Sequence, residues 1–233
     1  MALDFSKYFE AYEKLCSEVD AVFGRVKEQC GDGVTCTVKC SDCCHAVFDI
    51  TLVEAVYLNY HLRSSIGSGE ALSQLEELAN RADRELFRLK RQAYKAQQRG
   101  MDDMEILETM GKERIRCPLL NDSDMCIAYA HRPITCRLYG IPMEIGGQSR
   151  TCGKSGFQPG GNYPTVKMDK VQERLLALSQ ALIDDLPTRF SHLSRSLAPV
   201  SQAILSRYDE EFFGLEDGDD DGQGPDSPAS TKE

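Results

Sequence analysis

The stretch Cys36-Thr-Val-Lys-Cys40-Ser-Asp-Cys43-Cys44 decides how the rest of the chain is read. On an α-helix, at about 100° per residue, its four cysteines would point at about 0°, 40°, −20° and 80° and share one face. In a loop, Cys40-Ser-Asp-Cys43 is a short chelating turn that lets two sulfurs reach one metal. In either conformation the sulfurs converge. As thiolates they repel one another unless a cation neutralises them, so metal binding lowers their pKa values and stabilises the fold together. Adjacent Cys43 and Cys44 are hard to place on one tetrahedral ion without a strained chelate ring. That implies different metals for the two, or a bridging sulfur.

A second block supplies the same number of cysteines. RCPLLNDSDMCIAYAHRPITCRLYGIP (116–142) and SRTCGKSGF (149–157) contain Cys117, Cys126, Cys136 and Cys152. Four plus four is the count for two four-thiolate sites or one larger cluster. Cys117-Pro118 fixes the backbone just after a sulfur, as in ferredoxin ligand loops. Lys39, Arg116, Arg132 and Arg137 lie beside cysteines and could offset excess negative charge. His45 and His131 are further candidate ligands, although eight cysteines already fill two sites. Of the remaining cysteines, Cys16 falls on the apolar face of a helix and reads as a packed core thiol. Cys30, at that helix's end, reads as a spare thiol.

Outward from the cysteines the periodicity is helical. Phe5, Tyr8, Phe9, Tyr12, Leu15, Val19, Val22, Phe23 and Val26 recur at spacings of three and four, a pattern that predicts an amphipathic helix ending at Gly31 and Gly33. Thr51 with Glu54 is a capping-box pattern opening a second helix that runs out at Gly67. A third helix is expected from Ser68–Glu70 to about Arg99, and a short one around Met104–Met110. Residues 140–168 are rich in Gly and Pro and read as an ordered loop. Asp169 is expected to cap a helix stopped at Pro187, followed by a last helical stretch from Leu193 through Leu205 into Phe212 and Phe213. No run alternates long enough to indicate a sheet. The expected fold is mainly α, an irregular helical domain organised around a cysteine-ligated cluster. Its expected parts are an N-terminal amphipathic helix (1–34), a cysteine-cluster domain (35–160) with a helical insertion (68–112), C-terminal helices packing on that domain (161–215) and a disordered acidic tail (216–233).

Charge and hydropathy exclude several classes of partner. The tail from Glu216 to Glu233 holds seven acids and one lysine, a net of −6 out of −10, which leaves −4 on the body. A body so charged has no long-range field for a polyanion, so nucleic acid is not an expected partner. No apolar run approaches the ~20 residues of a bilayer span, so no membrane partner is expected either. MALDFSKYFEAYEKL lacks the basic start and apolar run of a secretory signal. A cytoplasmic, reducing location follows as an expectation, and there clustered cysteines are ligands rather than disulfides. The acidic tail and the charged face of the long third helix read first as solvated surface, and a protein partner docking on either is the alternative.

Taken together, C-x3-C-x2-CC, then RCPLL…C-x-x-Y-x-x-RP-x-x-CR-x-YG, then a further cysteine, resembles the YkgJ-type cysteine-cluster family, described as zinc- or iron-chelating domains. The resemblance covers roughly residues 36 to 160. It implies a metal site on Cys36, Cys40, Cys43, Cys44, Cys117, Cys126, Cys136 and Cys152, holding zinc or iron, the latter as an ion or an iron–sulfur cluster. The family often carries an acidic residue before the RP; Ala130-His131 stands there instead. A similar cluster occurs in the longer flagellin lysine N-methylases, which sets a protein-modifying iron–sulfur enzyme or an electron carrier beside the simple metal-binding reading. The Gly/Pro loop holding Tyr139, Lys154 and Tyr163 favours such an activity, although loop residues of this kind are more often plain scaffold. Cys36-x3-Cys40-x2-Cys43 also has radical-SAM spacing, but Asp42 replaces the usual aromatic and no alternating strand–helix pattern supports a barrel. No glycine-rich phosphate loop, HExxH or nucleophile elbow is present, so no catalytic residue is assigned.

Overall fold

A computed structural model describes residues 3–158 and 160–215; the acidic tail expected at 216–233 lies outside the described residues. Helix α1 (Ser6–Cys30) buries Tyr8, Phe9, Tyr12, Leu15, Cys16, Val19 and Val26, the stripe that its spacing predicts. It stops at Gly31, whose φ of 48° lies in the left-handed region that favours glycine. Helix α2 (Leu52–Ile66) buries every residue from Leu52 to Asn59. Both of its faces are covered. Val53, Val56 and Tyr57 join one apolar core with α1 and with α6 (Met168–Asp184). Ala55, Leu58 and Leu62 join a second core with α3 (Glu70–Gln98) and α7 (Val200–Leu205). A helix apolar all round is one that neighbours enclose.

The start of α2 is fixed by a buried carboxylate. Glu54 accepts hydrogen bonds from the Thr51 amide (2.9 Å) and the Thr51 hydroxyl (2.9 Å), completing the expected capping box. Its other oxygen accepts the Ile134 amide at 3.0 Å, at the first turn of α5 (Ile134–Leu138). Burial pushes the Glu54 pKa up against the pull of these donors. One side chain thus joins the helix after the first cysteine block to the short helix that carries Cys136.

Helix α3 buries Leu75, Ala79, Ala82, Leu86 and Leu89 on one stripe. Ser201 of α7 donates to Asp83 at 3.1 Å and Lys90 pairs with Asp49 at 2.8 Å, which holds this helix across the second core. Helix α4 (Asp103–Lys112) follows, its N-cap Asp102 accepting from the Met104 amide. No helix of the described residues is long and apolar enough to cross a membrane.

Three expectations are corrected. The described residues form two small sheets. Strand β1 (Asp49–Thr51) pairs antiparallel with β5 (Leu197–Pro199). In the supposed 140–168 loop, β2 (Met143–Ile145) pairs antiparallel with β3 (Gln148–Arg150) and parallel with β4 (Val166–Lys167). Gly146 and Gly147 both have positive φ, as a two-residue hairpin turn requires. Strands of two or three residues are too short to leave an alternating pattern. Secondly, α6 starts at Met168, so Asp169 lies inside it; its carboxylate accepts the Gly146 amide at 3.3 Å instead of capping the helix. Thirdly, the last helical stretch is broken into a 3-10 turn (Ser191–Arg195), β5, α7 and α8 (Glu210–Phe213). Pro199 has no amide hydrogen and forces its predecessor to be extended, so the strand ends and α7 begins there.

Candidate metal centre

Between α1 and β1 the first cysteine block is a loop, which settles the choice between the helical and the turn conformation. Cys40 donates its amide to the Thr37 carbonyl (3.0 Å), and Lys39 takes a left-handed φ of 70° inside that turn. Asp42–His45 is a single 3-10 turn, with the Cys44 amide on the Ser41 carbonyl at 3.0 Å. The His45 Nδ1 closes on the same carbonyl at 3.0 Å, so this ring nitrogen is engaged within its own turn.

Backbone pairing brings the second block to the first. Ala46 bridges to Arg114, the Ile115 amide donates to the His45 carbonyl (3.0 Å), and the Cys117 amide donates to the Cys44 carbonyl at 2.7 Å. Leu120 then bridges to Cys126, and the Asn121 side chain accepts the Ser123 and Met125 amides, both at 2.9 Å. This tight turn folds Cys126 back beside Cys117. Pro133 opens α5, and Glu54 fixes that helix so that Cys136 faces the same space. Cys43, Cys44, Cys117, Cys126 and Cys136 line one cavity of about 50 Å³ whose other walls are mainly apolar, including Phe48, Leu86 and Val200.

The thiols of this group act on one another. The Cys44 thiol lies between Cys126 and Cys43 and shares its proton with them, which lowers the Cys43 and Cys126 pKa values and raises that of Cys44. Arg132 also lowers Cys43 and Cys126. Burial pushes Cys117 up to about 12, and burial followed by the charges of Cys43, Cys117 and Cys126 pushes Cys136 well up.

A second group lies on the other side of Cys43. Burial and then the charges of Cys40, Cys152 and Cys43 push Cys36 up to about 11. The Cys152 thiol donates to Asp42 Oδ2 at 3.3 Å and its sulfur accepts the Lys154 amide at 3.4 Å. A Cβ added at Gly140 would stand 2.2 Å from the Cys36 sulfur, so the bare glycine face is what gives that thiol its place. The two sequence blocks therefore interleave. All ten cysteines are free thiols. As the side chains stand, among the described residues no three or more His, Cys, Asp or Glu groups are arranged to hold one ion between them.

Other sequence candidates are placed elsewhere. Cys16 is buried in the first core, as expected, and Cys30 is partly buried against it. Lys39 is exposed. The guanidinium of Arg116 is spent on the Leu120 and Asn121 carbonyls (3.1 and 2.9 Å), and that of Arg137 on Asp20 (2.6 Å) and the Arg132 and Ala130 carbonyls. Their hydrogen-bonding role is thus to hold loops, and Arg132 is the cation whose charge reaches Cys43 and Cys126. His131 is engaged by Tyr57 at 3.0 Å. Sequence reasoning passed over Asp42, Arg114 and Gly140. Arg114 donates to Asp42 Oδ1 and to the Asp42 carbonyl, both at 2.7 Å, and so ties the blocks together. The acid inside the Cys40-Ser-Asp-Cys43 turn was the available signal.

The chain matches no protein-family model, no curated protein and no solved structure.

Proposed function

We propose that the chain binds a thiolate-coordinated metal centre, zinc or iron, of the kind that its YkgJ-type motifs imply. One observation carries the reading: five cysteines from blocks separated by α2, α3 and α4 meet around one partly open, largely apolar cavity. Chance packing has no reason to gather thiols from so far apart in sequence, and in a structure without disulfides they do not serve as cross-links. The donor chemistry fits a thiophilic ion, since a bound cation would displace the protons that burial retains on Cys117 and Cys136. Holding an ion requires these thiols to turn from their present arrangement. When bound, the metal would neutralise the sulfurs and join the loop after α1 to α5; the chain's own part is to supply the sulfurs, the apolar walls and the charge of Arg132.

An iron–sulfur centre, with electron transfer or a protein-modifying activity, is the second reading. It is favoured by the cavity itself, which offers volume beyond that of a single ion, with apolar walls that would keep solvent from a cluster. Anaerobic purification with metal analysis decides between them. A brown protein with a broad band near ~400 nm and acid-labile sulfide is the iron–sulfur outcome; a colourless one with stoichiometric zinc excludes redox chemistry at the centre. A reduced, folded protein that takes up neither metal ends both readings.

A further inference from the structure

We propose that the exposed face of the C-terminal half of α3 binds single-stranded nucleic acid, with a row of cations for the phosphates and two aromatic rings for the bases. The inference is independent of the metal-binding reading, because it concerns the side of this helix turned away from the cysteines.

The charge of α3 is divided along its length. Residues 70–83 carry four acids and one cation, whereas residues 84–99 carry six cations and one acid. At about 100° per residue, Arg84, Arg88, Arg91, Lys95 and Arg99 point at about 0°, 40°, −20°, 20° and 60°. They form one row about 22 Å long, at about 1.5 Å per residue. Leu86 and Leu89, at about −160° and 140°, face the interior, and Leu86 walls the cysteine cavity from there. All five cations of the row are exposed, and among the described residues none of their side chains makes an ion pair or a hydrogen bond. Lys90, off the row, pairs with Asp49. Helix α4 brings Asp103, Glu105 and Glu108 after the row, but Asp103 accepts from Gln97 and none of the three pairs with a row cation.

Nothing within the fold compensates this row. Like charges at i and i+4 repel along a helix. The helix dipole offsets that repulsion only in the last turn, where Lys95 and Arg99 lie; Arg84, Arg88 and Arg91 are beyond its reach. Two aromatic rings border the row. Phe87 is 65% and Tyr94 62% exposed. At about −60° and −80° they stand on one edge of it, about 10 Å apart along the axis. A ligand that answers both features carries closely spaced negative charges and flat rings on one strand. Single-stranded nucleic acid has both, since phosphates track cations while bases stack on exposed aromatics. The chain's own segment 216–233 has acids but no aromatic residue, and an anionic membrane offers charge without rings. The net charge of −4 on the body does not oppose this binding. Screening over ~8 Å at physiological salt means that a ligand at the row meets the local charge, which is positive.

The test uses the full chain, kept reduced, and follows the fluorescence anisotropy of a labelled single-stranded RNA of about 15 nucleotides and mixed sequence. Wild type should bind it, and between about 50 and 200 mM salt the logarithm of affinity should fall with a slope of about −3, at roughly −0.7 per neutralised phosphate. The triple variant Arg88→Glu, Arg91→Glu, Lys95→Glu should lose at least tenfold in affinity and flatten the slope. The double variant Phe87→Ala, Tyr94→Ala should lose at least fivefold at every salt concentration and keep the slope. A duplex of the same sequence, whose bases are not free to stack, should bind at least fivefold more weakly. All these side chains are exposed, so the circular dichroism of both variants should match that of wild type. No binding at about 50 mM salt, or wild-type affinity in either variant, overturns the proposal. Equal binding of the duplex, or equally tight binding to phosphatidylserine vesicles, would show a general surface for anions and overturns it as well.

Discussion

The imidazole rings of His61 and His131 stack face to face, with centroids 3.9 Å apart and planes 5° from parallel. His61 belongs to α2, and His131 ends the 3-10 turn that precedes Pro133 and α5. Tyr57 donates to Glu13 of α1 at 2.9 Å, which leaves its oxygen to accept from His131 Nδ1 at 3.0 Å. The His61 Nε2 is buried without a partner, so a proton added there would find no acceptor. The stack therefore clamps the loop between Cys126 and Cys136 onto two helices in its neutral form.

Acid should loosen this clamp. Burial depresses both histidines below their ordinary value of 6.5; the charge of His131 adds to the effect on His61 and that of Arg137 to the effect on His131, while Glu13 opposes both shifts. The unfolded chain then binds protons that the folded chain does not, so stability is full above about pH 6.5 and is lost as pH falls through the folded values. Melting temperatures measured between about pH 5 and 8 should fall on the acid side. The slope should shrink in His61→Phe, which keeps a ring in the stack and removes one proton site; an undiminished slope would assign the effect to other groups.

Glu54 should be among the most sensitive positions in the chain. Its removal in Glu54→Ala strands the Thr51 amide and hydroxyl and the Ile134 amide in the interior, at a cost of roughly 3 kcal/mol or more. Glu54→Gln retains an acceptor for one of the two amides and should cost about half as much. Chemical denaturation of the two variants should rank them in that order. Equal costs would mean that the glutamine oxygen rescues neither amide.

Gly140→Ala places a methyl group where the Cys36 sulfur now sits. The thiol must swing aside, and the variant should bind less metal than wild type while its circular dichroism stays that of the wild type. Metal counting beside wild type checks this, and a full complement would show that Cys36 is not a ligand.

If the chain holds the proposed metal, removing it should destabilise the domain. Ligand present at 100 times its dissociation constant contributes about 2.7 kcal/mol, so a tightly held ion should add several degrees to the melting temperature. Chelation, or Cys136→Ser, should lower the transition by that amount. An unchanged curve after complete metal removal would contradict a structural role.

The parts of the fold legible in the sequence are those with long periods. The stripe from Tyr8 to Val26, the Thr51–Glu54 cap and the Leu75–Leu89 stripe each repeat often enough to declare a helix and its buried face. The five residues of α5 complete barely more than a turn, and β2, β3 and β4 are too short to alternate, so no local pattern marked them. The candidate ligands were legible as residue types, but their grouping was not. It depends on two long-range bonds, the Cys117 amide on Cys44 and the Ile134 amide on Glu54, and on the Arg114–Asp42 pair. Arg137 misled for the same reason, because nearness to a cysteine in sequence does not say which carbonyl a guanidinium will reach; the charge of Arg116 does reach Cys117.

The hydrogen bond between the Cys117 amide and the Cys44 carbonyl closes a long excursion of the chain. Residues 44 to 117 must all be synthesised before it can form. At roughly 5–20 residues per second, the first four cysteines wait on the order of ten seconds for their partners. During that interval they are unshielded nucleophiles, open to oxidants and to stray copper or zinc. On the proposed metal-binding reading, assembly is a contest between the ribosome's pace and the reactivity of a half-made site, and a slow stretch of translation between the blocks would leave damaged thiols.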